Sequence, residues 1–281
     1  MKVLKTREEL NQIVDSLREQ GKTIGLVPTM GALHRGHVAL VETSVRSVDT
    51  TIVSVFVNPI QFNNPEDLDK YPRDLEGDFE KLNKAGCNYV FVPSVEEMYP
   101  EKPNKVYSFD GIDECMEGEF RPGHFQGVAT VVHLLFEYTK CNKAFFGQKD
   151  FQQLAIVCQM TKLEGLDVEV VGCPTVREED GLAMSSRNLR LSKDLRPLAS
   201  TLYKALDFIK ANARSESPNV LKEKAKDIIS NESAFRLEYI DIVDDTYLRP
   251  AVEFEEGKSY VACLAAWLGD VRLIDNVKIF S

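Results

Sequence analysis

The chain has 281 residues, of which 43% are hydrophobic and 28% are charged. This composition is typical of a globular protein with at least one sizeable core, and it excludes disordered and fibrous classes. The formal charge of −10 argues against a long nucleic acid as the ligand, because such a ligand requires a basic surface. A local basic pocket for a small phosphate compound stays open.

The six cysteines predict a reduced protein. None of them forms a CxxC pair, and no zinc-ligand spacing is present, which is typical of scattered core thiols in an intracellular chain. The charged N-terminus lacks the apolar segment of a secretory signal, and the longest mostly apolar stretch, residues 127–136, is too short to cross a bilayer. We therefore expect a cytoplasmic protein.

The first two-thirds of the chain alternates between helical and strand patterns. The charged N-terminus is predicted to run directly into a helix, because Thr6 and Glu9 form a capping box before apolar residues at helical spacing, and Gly21 ends it. Strands are predicted at 23–27, 51–57, 89–92, 144–146 and 168–171, and helices at 36–48, 75–82, 125–138 and 150–163. This alternation predicts an α/β fold with a parallel sheet covered by helices on both faces. Residues 93–123, rich in Pro, Gly and acids, are interpreted as a surface excursion.

The pattern changes from about Val176. Helices are predicted at 195–211 and after Pro218, followed by strands at 237–243, 260–267 and 271–280. This order indicates a smaller helix-plus-antiparallel-sheet module. We therefore expect two domains, residues 1–175 and 176–281.

The stretch PTMGALHRGH, residues 28–37, lies between the first strand and the second helix. Gly31 permits a tight turn in which backbone N–H groups face a ligand, and the following helix N-terminus favours an anion. His34 and His37 are three residues apart, so both imidazoles can face one phosphate site and stabilise charge as a phosphate is displaced. The alternative is a pair of helix-capping or surface histidines.

Three further stretches carry polar side chains next to strand ends or on loops. In AFFGQKD, residues 144–150, Lys149 supplies a positive charge for a triphosphate, and Asp150 is a candidate helix cap or magnesium contact. MSSRN, residues 184–188, offers hydroxyls and a guanidinium to polyphosphate, although this is also ordinary loop composition. FVNPIQ, residues 56–61, offers neutral amides to a hydroxylated substrate, or merely turn chemistry.

Neither a Walker A motif nor GxGxxG is present. Phosphate binding must therefore depend on the HxGH-type turn. On this interpretation, the loop from Gly181 to Asn188 is expected to be mobile alone and to become ordered over the phosphates of a bound triphosphate, because Arg187 has little to hold it without such a ligand.

Together these stretches closely resemble the pantoate–β-alanine ligase family, within the HxGH nucleotidyltransferase superfamily. PTMGALHRGH, FVNPIQF, FGQKDFQQL, MSSRN and the RPGHFQGVATVV run at residues 121–132 all match its motifs. HxGH alone would indicate only a nucleotide- or adenylate-forming enzyme, whereas the longer motifs are much more specific. The resemblance covers essentially the whole chain and implies a Rossmann-like first domain with a smaller second domain acting as a lid.

The resemblance implies an ATP-dependent ligase of pantothenate biosynthesis, the route to the coenzyme A precursor. Pantoate would attack the ATP α-phosphorus to give pantoyl adenylate and pyrophosphate, and β-alanine would then displace AMP. His34, His37, Lys149 and Arg187 would carry the chemistry, with His37 as proton donor. Magnesium is expected with ATP without a dedicated protein cage, and the family is typically a homodimer through the first domain.

Residue by residue, the resemblance assigns the remaining contacts. Gln61 and Gln153 would bind pantoate, Gln61 would also lie near β-alanine, and Asn58 would support them. ATP would be bound by the following residues: Met30, Gly31, Ala32, Leu33, His34, Arg35, Gly36, His37, Gly147, Gln148, Lys149, Asp150, Val176, Met184, Ser185, Ser186 and Arg187.

Two other functions stay open at this point. One is a nucleotidyltransferase acting on a phosphorylated small molecule, which would need more cationic groups for its second phosphate. The other is a nucleotide-binding module without chemistry. No membrane or nucleic-acid partner is expected.

Overall fold

The computed structural model describes residues 1–280, and these form two compact units. The first unit comprises Met1–Gln148 and Gln153–Pro174. The second comprises Lys149–Gln152 and the chain from Thr175 onward. The four residues Lys149–Gln152 therefore group with the C-terminal half of the chain although the strand before them does not.

The first unit is built on a six-stranded parallel sheet with the order β1–β4–β3–β2–β5–β6. Its strands are β1 (Lys2–Leu4), β2 (Ile24–Thr29), β3 (Thr50–Val55), β4 (Tyr89–Phe91), β5 (Lys143–Gly147) and β6 (Glu169–Cys173). Its helices are α1 (Arg7–Glu19), α2 (Arg35–Ser47), α3 (Pro65–Asp69), α4 (Leu75–Lys84), α5 (Val95–Met98), α6 (Glu117–Phe120), α7 (His124–Thr139) and α8 (Phe151–Leu163), the last beginning in the second unit. The expected Rossmann-like doubly wound fold is confirmed.

The central strands place the sequence motifs at one edge of this sheet. β2 pairs with β3 in register from Ile24 opposite Thr50 to Thr29 opposite Val55, and on its other side it pairs with β5. The HxGH turn follows β2, a short 3-10 helix at Pro59–Gln61 follows β3, and Gln148 follows β5. Because parallel strands end at the same edge, these stretches lie where ligands of such sheets bind.

The helix predicted after Thr6 is confirmed in detail. The Thr6 hydroxyl accepts a hydrogen bond from the Glu9 N–H at 3.2 Å, and the Glu9 carboxylate accepts one from the Thr6 N–H at 3.1 Å. Leu10, Val14 and Leu17 form the buried face. The capping box therefore sets where α1 begins, and the apolar spacing sets which face it buries.

Two predictions for this unit are wrong. The N-terminus forms β1 before α1, because three residues suffice to pair with β4 although they are too few to show a strand pattern. The stretch 93–123 is only partly at the surface, since Met98, Phe109 and Ile112 are buried. The Gln126 amide also bonds both backbone groups of Tyr107, at 2.9 and 2.7 Å, as a neighbouring strand would.

The second unit contains a three-stranded antiparallel sheet with the order β7–β8–β9. The strands are β7 (Phe235–Asp244), β8 (Tyr260–Leu268) and β9 (Val271–Lys278), and the helices are α9 (Thr201–Asn212) and α10 (Pro218–Ser230), with 3-10 helices at Ser186–Arg190 and Arg196–Ser200. Leu202, Leu206 and Ile209 of α9 pack into one apolar core with Leu221 and Ile229 of α10. The predicted α+β character of this part is confirmed.

Gly127 allows α7 to approach the 3-10 helix that follows β3. A Cβ atom at this position would lie 2.5 Å from the Ile60 carbonyl oxygen and 2.8 Å from the Gln61 Cα and N atoms. The Asn58 amide donates to the Gly127 carbonyl at 3.0 Å, so the two backbones are also tied together. The position of Gln61 therefore depends on the absence of a side chain at residue 127.

We expect Gly127→Ala to lower the free energy of unfolding by about 1–3 kcal/mol, the usual cost of forcing an extra methyl group into a packed site. The clash is with backbone atoms, so it outweighs the roughly 0.5–1 kcal/mol that alanine gains over glycine inside a helix. Gly147→Ala is the matched control for stability, since nothing lies within 4 Å of its added Cβ. Urea denaturation measures the free energy of unfolding of both variants. Equal values would contradict the close approach of α7 to the 3-10 helix after β3.

Candidate active site

The turn between β2 and α2 has a left-handed backbone at two successive residues. Gly31 has a φ of +82° and Ala32 a φ of +49°. Ala32 and Leu33 are buried, whereas His34 and His37 are only partly buried. The turn therefore points its apolar residues inward and presents its imidazoles at the start of α2.

Hydrogen bonds fix the orientation of both imidazoles. His34 is the N-cap of α2, and its Nδ1 accepts a bond from the Gly36 N–H at 3.1 Å. His37 Nδ1 lies 3.3 Å from the His34 N–H, and the two ring centroids are 4.1 Å apart. Because each Nδ1 acts as an acceptor, a neutral ring must carry its proton on Nε2. Both rings therefore hold an N–H donor that is not used in capping the helix.

The backbone amides of the turn have acceptors within the protein. The Gly31 N–H donates to the Thr29 hydroxyl at 3.3 Å, and those of Ala32 and Leu33 donate to the two carboxylate oxygens of Asp78 at 2.8 and 2.6 Å. The expectation that Gly31 turns free amides toward a ligand is therefore wrong for these groups. These three amides therefore stabilise the turn itself.

A buried polar network holds Gln61. Its Oε1 accepts from the Asn58 amide at 3.0 Å, and its Nε2 lies 3.1 Å from the Met30 sulfur. Asn58 is 1% exposed and also accepts from the Tyr99 hydroxyl at 2.7 Å. The structure therefore brings Met30 and Gln61 together, and Asn58 orients Gln61 from inside the protein.

Side chains of the RPGHF stretch also contact this network. His124 Nδ1 lies 2.9 Å from the Gln61 carbonyl oxygen, and its Nε2 lies 3.1 Å from Arg121 Nη1. Arg121 in turn pairs with Glu117 at 3.4 Å. The resemblance to the family motifs indicated the RPGHF stretch. The sequence did not reveal that His124 of this stretch contacts Gln61.

The residues at the end of β5 and after it occupy different environments. Gly147 is half-buried and Gln148 exposed, and Gln148 lies against Gly172 of the neighbouring strand. Gln153 is half-buried in the first turn of α8. These positions are compatible with a ligand at the end of the sheet, but the pantoate role of Gln153 stays a prediction.

In the second unit, Lys149 is held through its backbone. The Asn276 amide donates to the Lys149 carbonyl at 2.7 Å, and the Lys149 ammonium lies 3.9 Å from Asp150. Only 16% of the Lys149 side chain is exposed, against 46% for Asp150. Asn276 on β9 is a residue that the sequence did not identify, because 127 positions separate it from Lys149.

Next to Asn276, a buried ion pair secures the segment that leads to MSSRN. Arg177 bonds both oxygens of Asp275, at 2.6 and 3.0 Å, and also donates to the carbonyls of Gly181 and Asn276. Its guanidinium lies 4.5 Å from the centre of the Tyr203 ring. One arginine therefore joins the turn at Gly181 to strand β9.

The MSSRN loop has internal structure of its own. The Met184 N–H donates to the Val176 carbonyl at 3.0 Å, and the Ser185 hydroxyl caps the 3-10 helix by accepting from the Arg187 N–H at 3.2 Å. The Asn188 amide bonds Glu178 and the Ala183 carbonyl, both at 3.1 Å. Arg187 also has interactions within the chain, so nucleotide is not all that holds it, and the ordering of this loop over ATP stays a prediction.

We expect Arg177→Met to lower the free energy of unfolding by about 3–5 kcal/mol, because it leaves the buried Asp275 carboxylate without its cation. Lys258→Met is the control, since Lys258 pairs with Glu255 at the surface and such pairs contribute about 0–1 kcal/mol. Denaturant unfolding followed by tryptophan fluorescence, from Trp267 in this unit, compares the two. Similar decreases in the free energy of unfolding for the two variants would contradict a stabilising role of the Arg177–Asp275 pair.

Comparison with known proteins covers nearly the whole chain. The family model described as pantoate-beta-alanine ligase matches residues 2–278. The pantothenate synthetase of Phocaeicola vulgatus is 49% identical over 283 aligned residues, covering 99% of each chain. None of the helices within residues 1–280 is long and apolar enough to cross a membrane.

Solved structures give the same result. Pantothenate synthetase from Thermus thermophilus superposes with a TM-score of 0.93 at 42% identity, covering 100% of both chains. A pantoate-beta-alanine ligase from Francisella tularensis, complexed with beta-gamma ATP and beta-alanine, gives 0.82 at 33% identity and covers 99% of this chain and 97% of that one. With a parallel sheet that carries an HxGH turn and with relatives matched along their full length, the chain belongs to the pantoate–β-alanine ligase family.

Proposed function

We propose that this ATP-dependent ligase forms pantothenate in two steps through a pantoyl adenylate. In the first step a pantoate carboxylate oxygen attacks the α-phosphorus of ATP, and pyrophosphate leaves. In the second step the β-alanine amine attacks the activated carbonyl, an amide bond forms, the amine loses a proton, and AMP leaves. The ligase activity follows from the family, and the Francisella ligase binds an ATP compound and beta-alanine.

The paired imidazoles are the observation that carries this proposal. Negative charge moves onto the β-phosphate oxygens as the bond to the α-phosphorus breaks, and preorganised donors stabilise such charge most where it develops. His34 and His37 each hold a donor on Nε2 while Nδ1 bonds to the backbone. No protein nucleophile is required, because the adenylate itself activates the carboxylate.

Positive charge for the triphosphate comes from Lys149 and Arg187. Lys149 is mostly buried, so its ammonium interacts more strongly with phosphate than a solvated lysine would. Arg187 lies in the 3-10 helix that begins after Ser185, where its planar guanidinium can bond two phosphate oxygens at once. We assign the remaining ATP contacts to residues 30–37 and 147–150, to Val176 and to residues 184–186.

Pantoate is assigned to Gln61 and Gln153. Gln61 is 7% exposed, and the Asn58 amide fixes the orientation of its side chain. A rigid, neutral amide suits a substrate with hydroxyl groups, because it can both donate and accept a bond. We also assign the Gln61 side chain to the β-alanine site, as the family resemblance implies.

Magnesium is proposed to accompany ATP. Within residues 1–280 no group of three or more His, Cys, Asp or Glu side chains is placed to hold a metal. Magnesium usually keeps several waters and binds through phosphates with one or two carboxylates, and Asp150 is the carboxylate that the structure places beside Lys149. The ion would neutralise phosphate charge.

Three further assignments complete the proposal. We assign functional domains to residues 1–175 and 176–281, as the change of sequence pattern suggests. All six cysteines are free thiols, which supports a reducing compartment such as the cytoplasm. A homodimer is the assembly that the family resemblance implies.

One assay separates this function from its alternatives. Pyrophosphate release that requires both ATP and pantoate, and that occurs without β-alanine, supports an adenylate-forming ligase. Release driven instead by a phosphorylated small molecule would favour a nucleotidyltransferase. ATP binding without pyrophosphate release under any of these conditions would favour a module without chemistry.

We expect His37→Ala to slow adenylate formation by about 10²-fold or more, the usual effect of removing one donor to a developing charge. Rapid-quench measurement of pyrophosphate release is the test. His133→Gln is the matched control, since His133 is a histidine of α7 that contacts Glu137 and has no proposed role. Near-normal turnover of His37→Ala would remove His37 from the mechanism.

We expect Gln61→Ala and Gln153→Ala each to raise the KM for pantoate, with little change in ATP binding. Each variant leaves a substrate polar group without a partner, a loss of about 1–3 kcal/mol. Gln159→Ala is the control. Gln159 lies on the same helix as Gln153, and its amide donates a hydrogen bond to Asp110. Equal losses for pantoate and ATP would indicate a general structural role instead.

A further inference from the structure

Asp78 is a fully buried carboxylate beneath the HxGH turn. It lies in α4, its side chain is 0% exposed, and it is 45 residues from Leu33 in sequence. One oxygen accepts the Ala32 N–H at 2.8 Å and the other accepts the Leu33 N–H at 2.6 Å. Burying a charged carboxylate costs free energy unless it is well bonded. The packing of α4 alone therefore does not explain why an aspartate occupies this position.

The turn has a conformation that needs such support. Ala32 adopts a φ of +49°, a left-handed backbone that is unfavourable for a residue with a side chain. A Cβ atom at Gly31 would lie only 3.1 Å from the nearer Asp78 oxygen. The carboxylate therefore sits directly against the turn, and a left-handed residue here is compensated by two strong bonds to one side chain.

Only a carboxylate can make both bonds. The asparagine amide has one acceptor oxygen, and its NH₂ group would face a backbone N–H at the other position. Burial raises the pKa of Asp78, while the Leu33 and Ala32 N–H groups and the nearby Lys81 ammonium oppose that effect. The Lys81 nitrogen lies 3.8 Å from the Asp78 carboxylate.

We propose that Asp78 is a positioning residue that holds the HxGH turn so that His34 and His37 meet the phosphates of ATP. This inference rests on the proposed function of the two histidines. Leu33 directly precedes His34, and the His34 N–H lies 3.3 Å from His37 Nδ1. A shift of the Leu33 amide therefore moves the cap of α2 and both rings.

The test is Asp78→Asn, which preserves the shape of the side chain. We expect kcat for adenylate formation to fall about 10- to 100-fold, the scale of a misplacement of about 1 Å in a reacting group. The KM for pantoate should stay within about twofold of the unchanged protein, because the Asn58 amide and the His124 ring hold Gln61 from outside the turn. This split between kcat and KM separates positioning from a general loss of structure.

Asp74→Asn is the matched control. Asp74 is the N-cap of the same helix, accepts from the Gly77 N–H at 3.0 Å and is 61% exposed. The charge change is identical, and asparagine caps a helix as well as aspartate does. We therefore expect its kcat to stay within about twofold of the unchanged protein.

Amide hydrogen exchange tests the clamp without reference to activity. In the unchanged protein the Ala32 and Leu33 amides should exchange slowly, as bonded buried amides do, and in Asp78→Asn they should exchange at least about tenfold faster, while α7 amides keep their rates. Fast exchange of these two amides in the unchanged protein overturns the proposal even where Asp78→Asn fails to fold. A variant with full kcat, or with unchanged exchange at both amides, also overturns it.

The two proposals fail in distinguishable ways. If His37→Ala keeps its turnover while Asp78→Asn accelerates exchange at Ala32 and Leu33, the clamp exists and the function of the histidines is wrong. If His37→Ala loses activity while Asp78→Asn keeps it, the histidines function and the clamp does not position them.

Discussion

Buried backbone amides must have acceptors, and this requirement organises the turn to which we assign the ligase chemistry. The chain leaves β2 through two left-handed residues, so its amides cannot bond in a helix or a sheet. The side chains of Thr29, Asp78 and His37 accept them instead. This differs from phosphate loops in which successive amides form an anion nest. Here the amides stabilise the turn, and in the proposed mechanism the imidazoles and cationic side chains bind the phosphates.

The same arrangement recurs at the other side chains assigned to substrates. Asn58 orients Gln61 from a fully buried position, and Asn276 bonds the backbone of Lys149. In each case a group that is to meet substrate is fixed by a polar side chain from another part of the chain. Preorganisation of this kind lowers the reorganisation required during reaction. It also concentrates buried polar groups near the site, where leaving one without its partner is costly.

Local signals were sufficient to predict the elements and motifs that depend on neighbouring residues. The Thr6 capping box predicted the start of α1. Apolar runs that alternate with helical patterns predicted the strands of the parallel sheet other than β1. The roles of Asp78 and Asn276 could not be predicted, because their partners lie 45 and 127 positions away and bond through backbone atoms. Asp78 is also followed by Lys81 at i+3, which on an amphipathic helix suggests a solvated surface pair. The buried apolar residues of 93–123 do not recur at helix or strand spacing, so the sequence pattern did not predict their burial.

Placing a carboxylate beneath a turn that is proposed to bind phosphate has an electrostatic cost, since like charges repel more strongly where water is excluded. Two features of the structure reduce that cost at Asp78. Its two oxygens are directed at backbone N–H groups, and the Lys81 ammonium lies within 4 Å. A neutral side chain would avoid the repulsion but could not accept both amides. The need to hold a left-handed turn therefore outweighs the repulsion between charges, and it explains why an acidic residue stands so close to the proposed site of an anionic substrate.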